Sequence, residues 1–400
     1  MLELDAVQTL AFAGLALFLG YALCRVVPPF SKYNLPAPVI GGLAVALVVL
    51  AARRYEVTLF TLDTSLQTPL MIAFFTTIGV NASVALLKLS GRQVVIFLLL
   101  ATAFAVAQNL LGMAVAMGFG LHPLFGVLAG STTLTGGPAT GLAFAPLFEQ
   151  AGVAGAESIA VASAMAGILC GGLLGGPVAT VLIRRHKLYG GVRLGAPDES
   201  SAEPAGARDT VDFASREHAA LKSIVVILVA MWIGAWISGG ISATGVTLPA
   251  YVGAMLVGAL IRNLDDASGW IRLSVPTIEL IGNICLALFL ALALMNLKLW
   301  ELAGLAAPLL VNLGLQVALV ALFCGVVFRV MGRDYDAAVM GGGFIGFMLG
   351  TTANAMAVMR ALVERYGAAP RAFLVAPLVG AFFIDFTNAL IITFFINAFA

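Results

Sequence analysis

The chain has 400 residues, of which 61% are hydrophobic and 10% are charged, and its formal net charge is +1. Because a soluble domain contains about 45–50% apolar and about 25% charged residues, this composition excludes an ordinary water-soluble protein. The near-neutral charge and the lack of a basic stripe give no indication of a nucleic-acid partner.

The hydrophobic pattern predicts an all-α polytopic membrane protein with about ten transmembrane helices, since about 20 apolar residues suffice to cross a bilayer. The first apolar run follows the start "MLELDAVQ", which has two acids and no base. A cleaved signal peptide needs a basic start, so we expect a retained span. The predicted spans cover residues 8–27, 36–52, 69–87, 93–119, 157–183, 221–240, 248–262, 276–296, 303–329 and 372–397.

A long polar segment, residues 184–222, separates two halves of the chain, 1–183 and 223–400. It is rich in Gly, Pro, Ser and charge, as flexible linkers are. With the N-terminus outside, most Lys and Arg residues fall in inner loops, which is the orientation that basic residues favour. We therefore expect a multi-pass inner-membrane protein with a cytoplasmic linker and with both termini on the periplasmic side.

The two halves resemble each other. "LPAPVIGGLAVALV" at 35–48 is similar to "LPAYVGAMLVGALI" at 248–261, and the Gly-rich stretches 125–140 and 337–352 are separated by nearly the same offset. Five spans per half is an odd number, so the halves would insert upside down relative to each other, as in many secondary transporters. The alternative is that Gly- and Ala-rich membrane helices look alike.

The first half contains an interrupted apolar stretch at about 123–149, with "STTLTGGPATG" in its middle. The glycine pair permits a turn, and Pro138 suits the first position of a new helix, so we predict a re-entrant helical hairpin entering from outside. Backbone at that depth is tolerated only inside protein or beside a cavity, and a helix N-terminus there would bind a carboxylate. The candidate substrate-binding residues are Ser131, Thr133, Thr135, Gly136, Gly137 and Thr140.

The second half contains a matching stretch at about 335–362, which we predict to be a re-entrant hairpin entering from inside. One glycine allows the turn, and a following threonine is suited to cap the returning helix. The candidate substrate-binding residues here are Gly350, Thr351, Thr352 and Asn354. The two hairpins would meet near the midplane. The alternative is that Gly and Thr in both stretches serve only close helix packing.

Asp385, in "AFFIDFTNAL", is the acid placed deepest in a predicted span. Burying a charged Asp at mid-helix costs roughly 2.5–3.5 kcal/mol, so such a residue usually faces a cation or a water path. Asn388 lies on the same helical face, and with Asn81 these residues are the candidate sodium ligands. The alternatives are a protonated Asp hydrogen-bonded between helices and ordinary interhelical amide bonds. The sequence contains no His-based catalytic or metal cluster, so we expect neither an enzyme nor a bound cofactor.

At this point the sequence resembles the sodium/glutamate symporter family over nearly its whole length. The resemblance lies in "NLPAPVIGGL" (34–43), "PLMIAFFTTIGVNA" (69–82), "LAGSTTLTGGPATG" (128–141), "GGLLGGPVA" (171–179), "LFLALALMNLKLWEL" (288–302), "RDYDAAVM" (333–340), "ERYG" (364–367) and "FLVAPLVGAFFIDFTNALI" (373–391). It implies sodium-coupled import of glutamate, with sodium as the coupling ion. It also implies a homodimer and an elevator-type movement of a transport domain against a dimer-forming scaffold.

Three residues depart from the family pattern, which has a His after the glycine pair of the first hairpin and another His with a more Gly-rich turn in the second. This chain has Pro138, Phe344 and Met348 there. We expect these differences to affect which substrate is bound more than how the substrate is transported. The alternative function is therefore a transporter of the same fold for another carboxylate or amino acid, or one coupled to protons through Asp385.

Overall fold

The computed structural model describes residues 2–399 except 56, 58, 90, 189–210, 245–246 and 303. Helices make up most of the described chain. Those of the first half are α1 (Ala6–Val26), α2 (Pro28–Lys32), α3 (Ala37–Arg53), α4 (Gln67–Asn81), α5 (Val84–Leu89), α6 (Arg92–Gly118), α7 (Pro123–Val127), α8 (Gly137–Gln150) and α9 (Ala156–Arg185). Those of the second half are α10 (Val211–Ser242), α11 (Ala250–Ser268), α12 (Val275–Met295), α13 (Ala306–Val330), α14 (Tyr335–Met348), α15 (Thr352–Tyr366), α16 (Pro370–Leu378) and α17 (Ile384–Phe399).

Shorter elements complete the described chain. Two strands, β1 (Leu2–Leu4) and β2 (Phe60–Leu62), pair in parallel. Two π-helical turns, Leu128–Thr132 and Val379–Phe383, follow α7 and α16, and a 3-10 turn covers Leu299–Leu302. The strand pair joins the N-terminus to the segment after α3, so these two parts of the chain lie on one face of the molecule.

Six of the described helices are long and apolar enough to cross a membrane by length and composition. They are α1, α6, α9, α12, α13 and the part Glu217–Ser242 of α10. Helices can span lipid because they satisfy all their backbone hydrogen bonds internally. The structure thus agrees with the prediction of an all-α polytopic membrane protein.

The predicted span 69–87 is interrupted in the structure. Helix α4 ends at Asn81 and α5 begins at Val84. The break is held by Asn263 of α11, whose Nδ2 donates to the carbonyl of Ala82 at 3.0 Å and whose Oδ1 accepts from the N–H of Val84 at 2.8 Å. A side chain from another helix therefore replaces the local helical hydrogen bonds.

Two further boundaries differ from the prediction. Helix α9 ends at Arg185 and α10 begins at Val211, so the predicted linker 184–222 overlaps both helices; its residues 189–210 lie outside the described part of the chain. The predicted last span, 372–397, is divided into α16 and α17 by the π-turn Val379–Phe383.

The helices pack in two groups. The first, which we call the six-helix group, contains α1, α3, α4, α10, α11 and α12. The second, the hairpin group, contains α6–α9 and α13–α17. Small residues bring backbones together within each group: a Cβ on Gly20 of α1 would lie 2.0 Å from the carbonyl oxygen of Ala37, at the start of α3. Each group takes helices from both halves of the chain, so neither half forms a separate domain.

Candidate functional site

The first hairpin turns where the sequence places its glycine pair. After α7 the chain enters the π-turn, where Gly130 leaves the helical region with φ −104° and ψ −127°. Helix α8 begins at Gly137, which has φ +70°, a conformation that glycine adopts without steric cost. Pro138 occupies the second helical position rather than the predicted first. No side chain caps the N-terminus of α8, so its first-turn N–H groups are not used by a cap.

The second hairpin turns between α14 and α15. Thr351 caps α15, since its Oγ1 accepts from the backbone N–H of Asn354 at 3.4 Å. Thr352 donates its hydroxyl to the carbonyl of Gly380 at 2.5 Å, which ties the turn to the second π-turn. A Cβ on Gly350 would lie 2.7 Å from Asn354 Nδ2, so the turn has no room for a larger residue.

Gln108 of α6 joins the two turns. Its Nε2 donates to the carbonyl of Met348 at 3.0 Å, and its Oε1 accepts from Thr135 Oγ1 at 2.6 Å. The two tips are close, because a Cβ on Gly137 would lie 4.0 Å from the carbonyl oxygen of Gly350. The sequence analysis did not assign this bridging role to Gln108.

A cavity of about 580 Å³ lies beside the joined tips, within the range of about 300–1,000 Å³ that is usual for small-molecule sites. Helices α8 and α15 both begin at its wall, and the N-terminus of a helix carries a partial positive charge that favours anions. Asp385 supplies a carboxyl group to the described wall. The lining residues from other elements include Tyr21, Pro36, Pro38, Phe74, Asn283, Leu286, Leu290 and Ile384.

A smaller cavity of about 250 Å³ adjoins the first and shares Phe74, Asn283 and Asp385 with it. Asn81 and Glu279 also line it, so two carboxylates and two amides face one space. The Oδ1 of Asn81 is buried without a hydrogen-bond partner in the described structure. Glu279 is not among the site residues predicted from the sequence; its spacing of four from Asn283 on α12 was the available signal for a shared face.

The structure brings six of the ten candidate substrate residues to the wall of the larger cavity. They are Thr135, Gly136, Gly137, Gly350, Thr351 and Thr352. The other four are not among the lining residues. Thr133 donates to the carbonyl of Leu128 at 2.8 Å, and Asn354 donates to that of Ile168 at 2.8 Å. Thr140 packs against Gly136, and the carbonyl of Ser131 accepts from Asn388.

The three candidate sodium ligands fall in two places. Asp385 and Asn81 line the smaller cavity. Asn388 points instead toward the first hairpin, where its Nδ2 donates to the carbonyl of Ser131 at 2.9 Å. Two residues three apart on one helix therefore lie in different environments, because α17 contacts several other elements, among them α4 and the first π-turn.

The three residues that differ from the expected family pattern also lie in different surroundings. Pro138 lines the larger cavity. Phe344 is fully buried among aromatic rings that include Phe97 and Phe104. Met348 contacts Thr135 of the first tip through its carbonyl and its sulfur. Of the three, only Pro138 is in a position to contact a molecule in the larger cavity.

Comparison with known proteins identifies the family. The family model described as the sodium/glutamate symporter matches residues 2–368. The chain is 42% identical over 398 residues to the sodium/glutamate symporter of Escherichia coli K12, covering 99% of this chain and 98% of that protein. It is 40% identical over 384 residues to the one of Haemophilus influenzae Rd, covering 96% and 95%. The chain belongs to the sodium/glutamate symporter family. The predicted resemblance is thereby confirmed, and the symporter is a transporter rather than an enzyme.

Proposed function

We propose that this symporter couples sodium entry to glutamate import, with glutamate bound in the larger cavity between the hairpin tips. The observation that carries the proposal is the arrival of two helix N-termini and one acid, Asp385, at a single cavity. Backbone N–H groups of α8 and α15 would hold a carboxylate, and Thr135, Thr351 and Thr352 would add hydroxyls. Glutamate and sodium are named in the two relatives that share about two-fifths of its residues over almost full length.

Sodium would bind beside Asp385, with Asn81 as a further oxygen ligand. The structure adds Glu279 and Asn283 to this environment. An acid inside a membrane protein is retained only with a partner or a water path, and sodium supplies such a partner. The Asp385 carboxylate lies on the walls of both cavities, so a cation there would be next to the substrate and would favour its binding.

The architecture we propose has ten transmembrane helices in two inverted repeats, each with a re-entrant hairpin. In support, the six-helix group takes three helices from each half of the chain, and the two tips meet. The hairpin group would carry the substrate in an elevator movement against the six-helix group. In the proposed orientation, both termini are periplasmic and the linker is cytoplasmic. The cavity, which Tyr21 and Pro36 line, would then lie toward the inner face.

A homodimer is also part of the proposal. The six-helix group carries exposed apolar side chains on α10, including Trp232 and Trp236, which are 62% and 72% exposed in the single chain. Such a face would contact lipid or a second copy of the chain. Chemical cross-linking in native membranes distinguishes these two cases.

The second candidate is a transporter of the same fold for another carboxylate or amino acid, or one driven by protons through Asp385. Pro138 on the cavity wall favours a changed substrate, since it occupies the position where the family pattern has a His. A buried acid that faces a cavity also suits proton transfer.

Uptake into proteoliposomes tests the proposal. Labelled glutamate, aspartate and other carboxylates would be offered with a sodium gradient, with a proton gradient, or with neither. We expect sodium-driven glutamate uptake, and we expect Asp385→Asn to raise the sodium requirement strongly. Asp63→Asn is the matched control, because Asp63 lies in a loop near β2 and hydrogen-bonds the backbone of Ser65. Glutamate uptake without sodium dependence, or an unchanged sodium requirement in Asp385→Asn, contradicts the proposal.

A further inference from the structure

A second set of buried polar groups surrounds the π-turn that precedes the first tip. The side chains come from α6, α13, α17 and the turn itself, and each is at most 2% exposed. We call this set the π-turn cluster, and it comprises Asn109, Ser131, Thr132, Asn312, Gln316 and Asn388. None of these residues belongs to the described wall of either cavity discussed above.

The amides of the cluster are all fixed by backbone bonds. Asn388 donates through Nδ2 to the carbonyl of Ser131 at 2.9 Å, and Asn312 donates to that of Ala129 at 2.6 Å. Gln316 donates to the carbonyl of Gln108 at 2.8 Å. Because these three nitrogens donate to carbonyls, the amide oxygens of the same side chains are directed away from those bonds and their positions are set. Asn109 is held in the opposite sense: its Oδ1 accepts from the N–H of Ser131 at 2.9 Å, and its Nδ2 has no partner in the described structure.

Five of the six side-chain oxygens of the cluster lack hydrogen-bond partners. In the described structure, no hydrogen bond reaches Ser131 Oγ, Thr132 Oγ1, Asn312 Oδ1, Gln316 Oε1 or Asn388 Oδ1. Buried polar atoms are normally hydrogen-bonded, and leaving one unpartnered costs free energy. A single water has two hydrogens to donate and would satisfy two of the five oxygens, whereas a hard cation binds several oxygens at once.

The backbone at this place also favours a cation. Gly130 departs from helical geometry, so the first arm of the hairpin is broken within the π-turn. The C-terminal end of a helix carries partial negative charge, and in transporters unwound carbonyls and such helix ends coordinate sodium. The cluster itself contains no acid; the acid on α17 is Asp385, three residues before Asn388.

We propose that the π-turn cluster is a second cation site, made of uncharged oxygen ligands and separate from the Asp385 cavity. The identification of the ion as sodium rests on the proposed function. Occupation of this site would tie α6, α13 and α17 to the first hairpin, and would thereby fix the tip that faces the substrate. The site would bind a small monovalent cation through amide and hydroxyl oxygens.

Two substitutions remove unpartnered oxygens while breaking no side-chain hydrogen bond of the described structure: Ser131→Ala and Thr132→Val. The matched control is Ser238→Ala, because Ser238 of α10 is also buried and donates its hydroxyl to the carbonyl of Pro249 at 3.1 Å. Thr132→Ser keeps the hydroxyl and should restore the parent behaviour. Each variant would be made both in the otherwise unchanged full-length protein and in the Asp385→Asn variant. In the Asp385→Asn variant the proposed first sodium site is removed, so the remaining sodium response reports on the second site.

The measurement is the thermal unfolding temperature of the purified protein as sodium chloride replaces choline chloride at constant ionic strength, without glutamate. In the Asp385→Asn background we expect a residual sodium response. The double variant Ser131→Ala, Thr132→Val should raise the sodium concentration for half-maximal stabilisation at least about tenfold, since hydrogen bonds and similar contacts to charged groups are the stronger class. Ser238→Ala should leave that concentration unchanged.

Two results would overturn the second site. One is the lack of any sodium response in Asp385→Asn. The other is a double variant that responds to sodium like the parent protein and is more stable than the parent in choline chloride. This result would mean that the oxygens are buried without partners, or are bound to water, and do not bind a cation. Either result leaves the proposed function intact if the wild-type protein takes up glutamate with sodium. A sodium response lost in the double variant supports the site even if uptake proves to be driven by another ion.

Discussion

Gly137 gives the sharpest test of how the first hairpin turns. It has φ +70°, and an added Cβ would meet only the carbonyl oxygen of Gly350, at 4.0 Å. Steric contact is therefore negligible, and the effect of Gly137→Ala comes from the left-handed backbone alone. That conformation costs a non-glycine residue about 1–2 kcal/mol. The folding equilibrium should shift about five- to thirtyfold toward the unfolded state, at about 1.4 kcal/mol per factor of ten.

The assay is equilibrium unfolding of the purified protein in mixed micelles, with glutamate uptake measured in parallel. Gly176→Ala is the matched control, since Gly176 lies inside α9 with helical φ and nothing within 4 Å of an added Cβ. Alanine is favoured over glycine within a helix by roughly 0.5–1 kcal/mol, so this control should be neutral or stabilising. If Gly137→Ala and the wild-type protein are equally stable, residue 137 does not have the left-handed backbone conformation. The placement of the α8 N-terminus, which depends on that conformation, would then also be wrong.

Three further predictions address the hairpin junction, a loop and the topology. Gln108→Leu should weaken folding by about 1–3 kcal/mol and lower glutamate affinity, because it removes the two shorter hydrogen bonds of the junction and leaves the Thr135 hydroxyl only its longer contacts to the carbonyl and sulfur of Met348; unchanged values in unfolding and binding titrations would contradict the junction. Asp265→Ala should destabilise the loop after α11 by about 1.5–3 kcal/mol, because its carboxylate accepts three backbone N–H groups of residues 271–273, and faster hydrogen exchange there is the readout. A single cysteine introduced at Ala202 should be labelled in intact cells only by a membrane-permeant reagent, whereas labelling by an impermeant one would invert the proposed orientation.

Much of the fold could be predicted because the bilayer restricts the choice of structure. Long apolar runs in this chain have few ways to satisfy their backbone other than as helices, which is why the all-α class followed from composition and run length. Glycines and a proline mark places where helix geometry fails, so the turn before α8 and the turn at Gly350 were also predictable. The interruptions after Asn81 and within 372–397 were not, because they depend on contacts with other helices.

The candidate site was predictable in its residue types but not in its grouping. Thr135 and Met348, one from each tip, are joined by Gln108, a residue that is distant from the second hairpin in sequence. Glu279 joins Asp385 at one cavity because α12 and α17 both contact α4, which no local pattern reveals.

The sequence by itself determined the membrane setting, the helical class, the family and the positions of the turns before α8 and at Gly350, because these depend on local composition and backbone chemistry. The tertiary structure alone decided which polar groups share a space. Asp385 and Asn388 lie three residues apart on α17, yet one faces the cavities and the other binds the carbonyl of Ser131. The physical reason is that a helix fixes only the direction of a side chain, whereas the elements packed against that helix determine whether the side chain meets a cavity, a carbonyl or another helix.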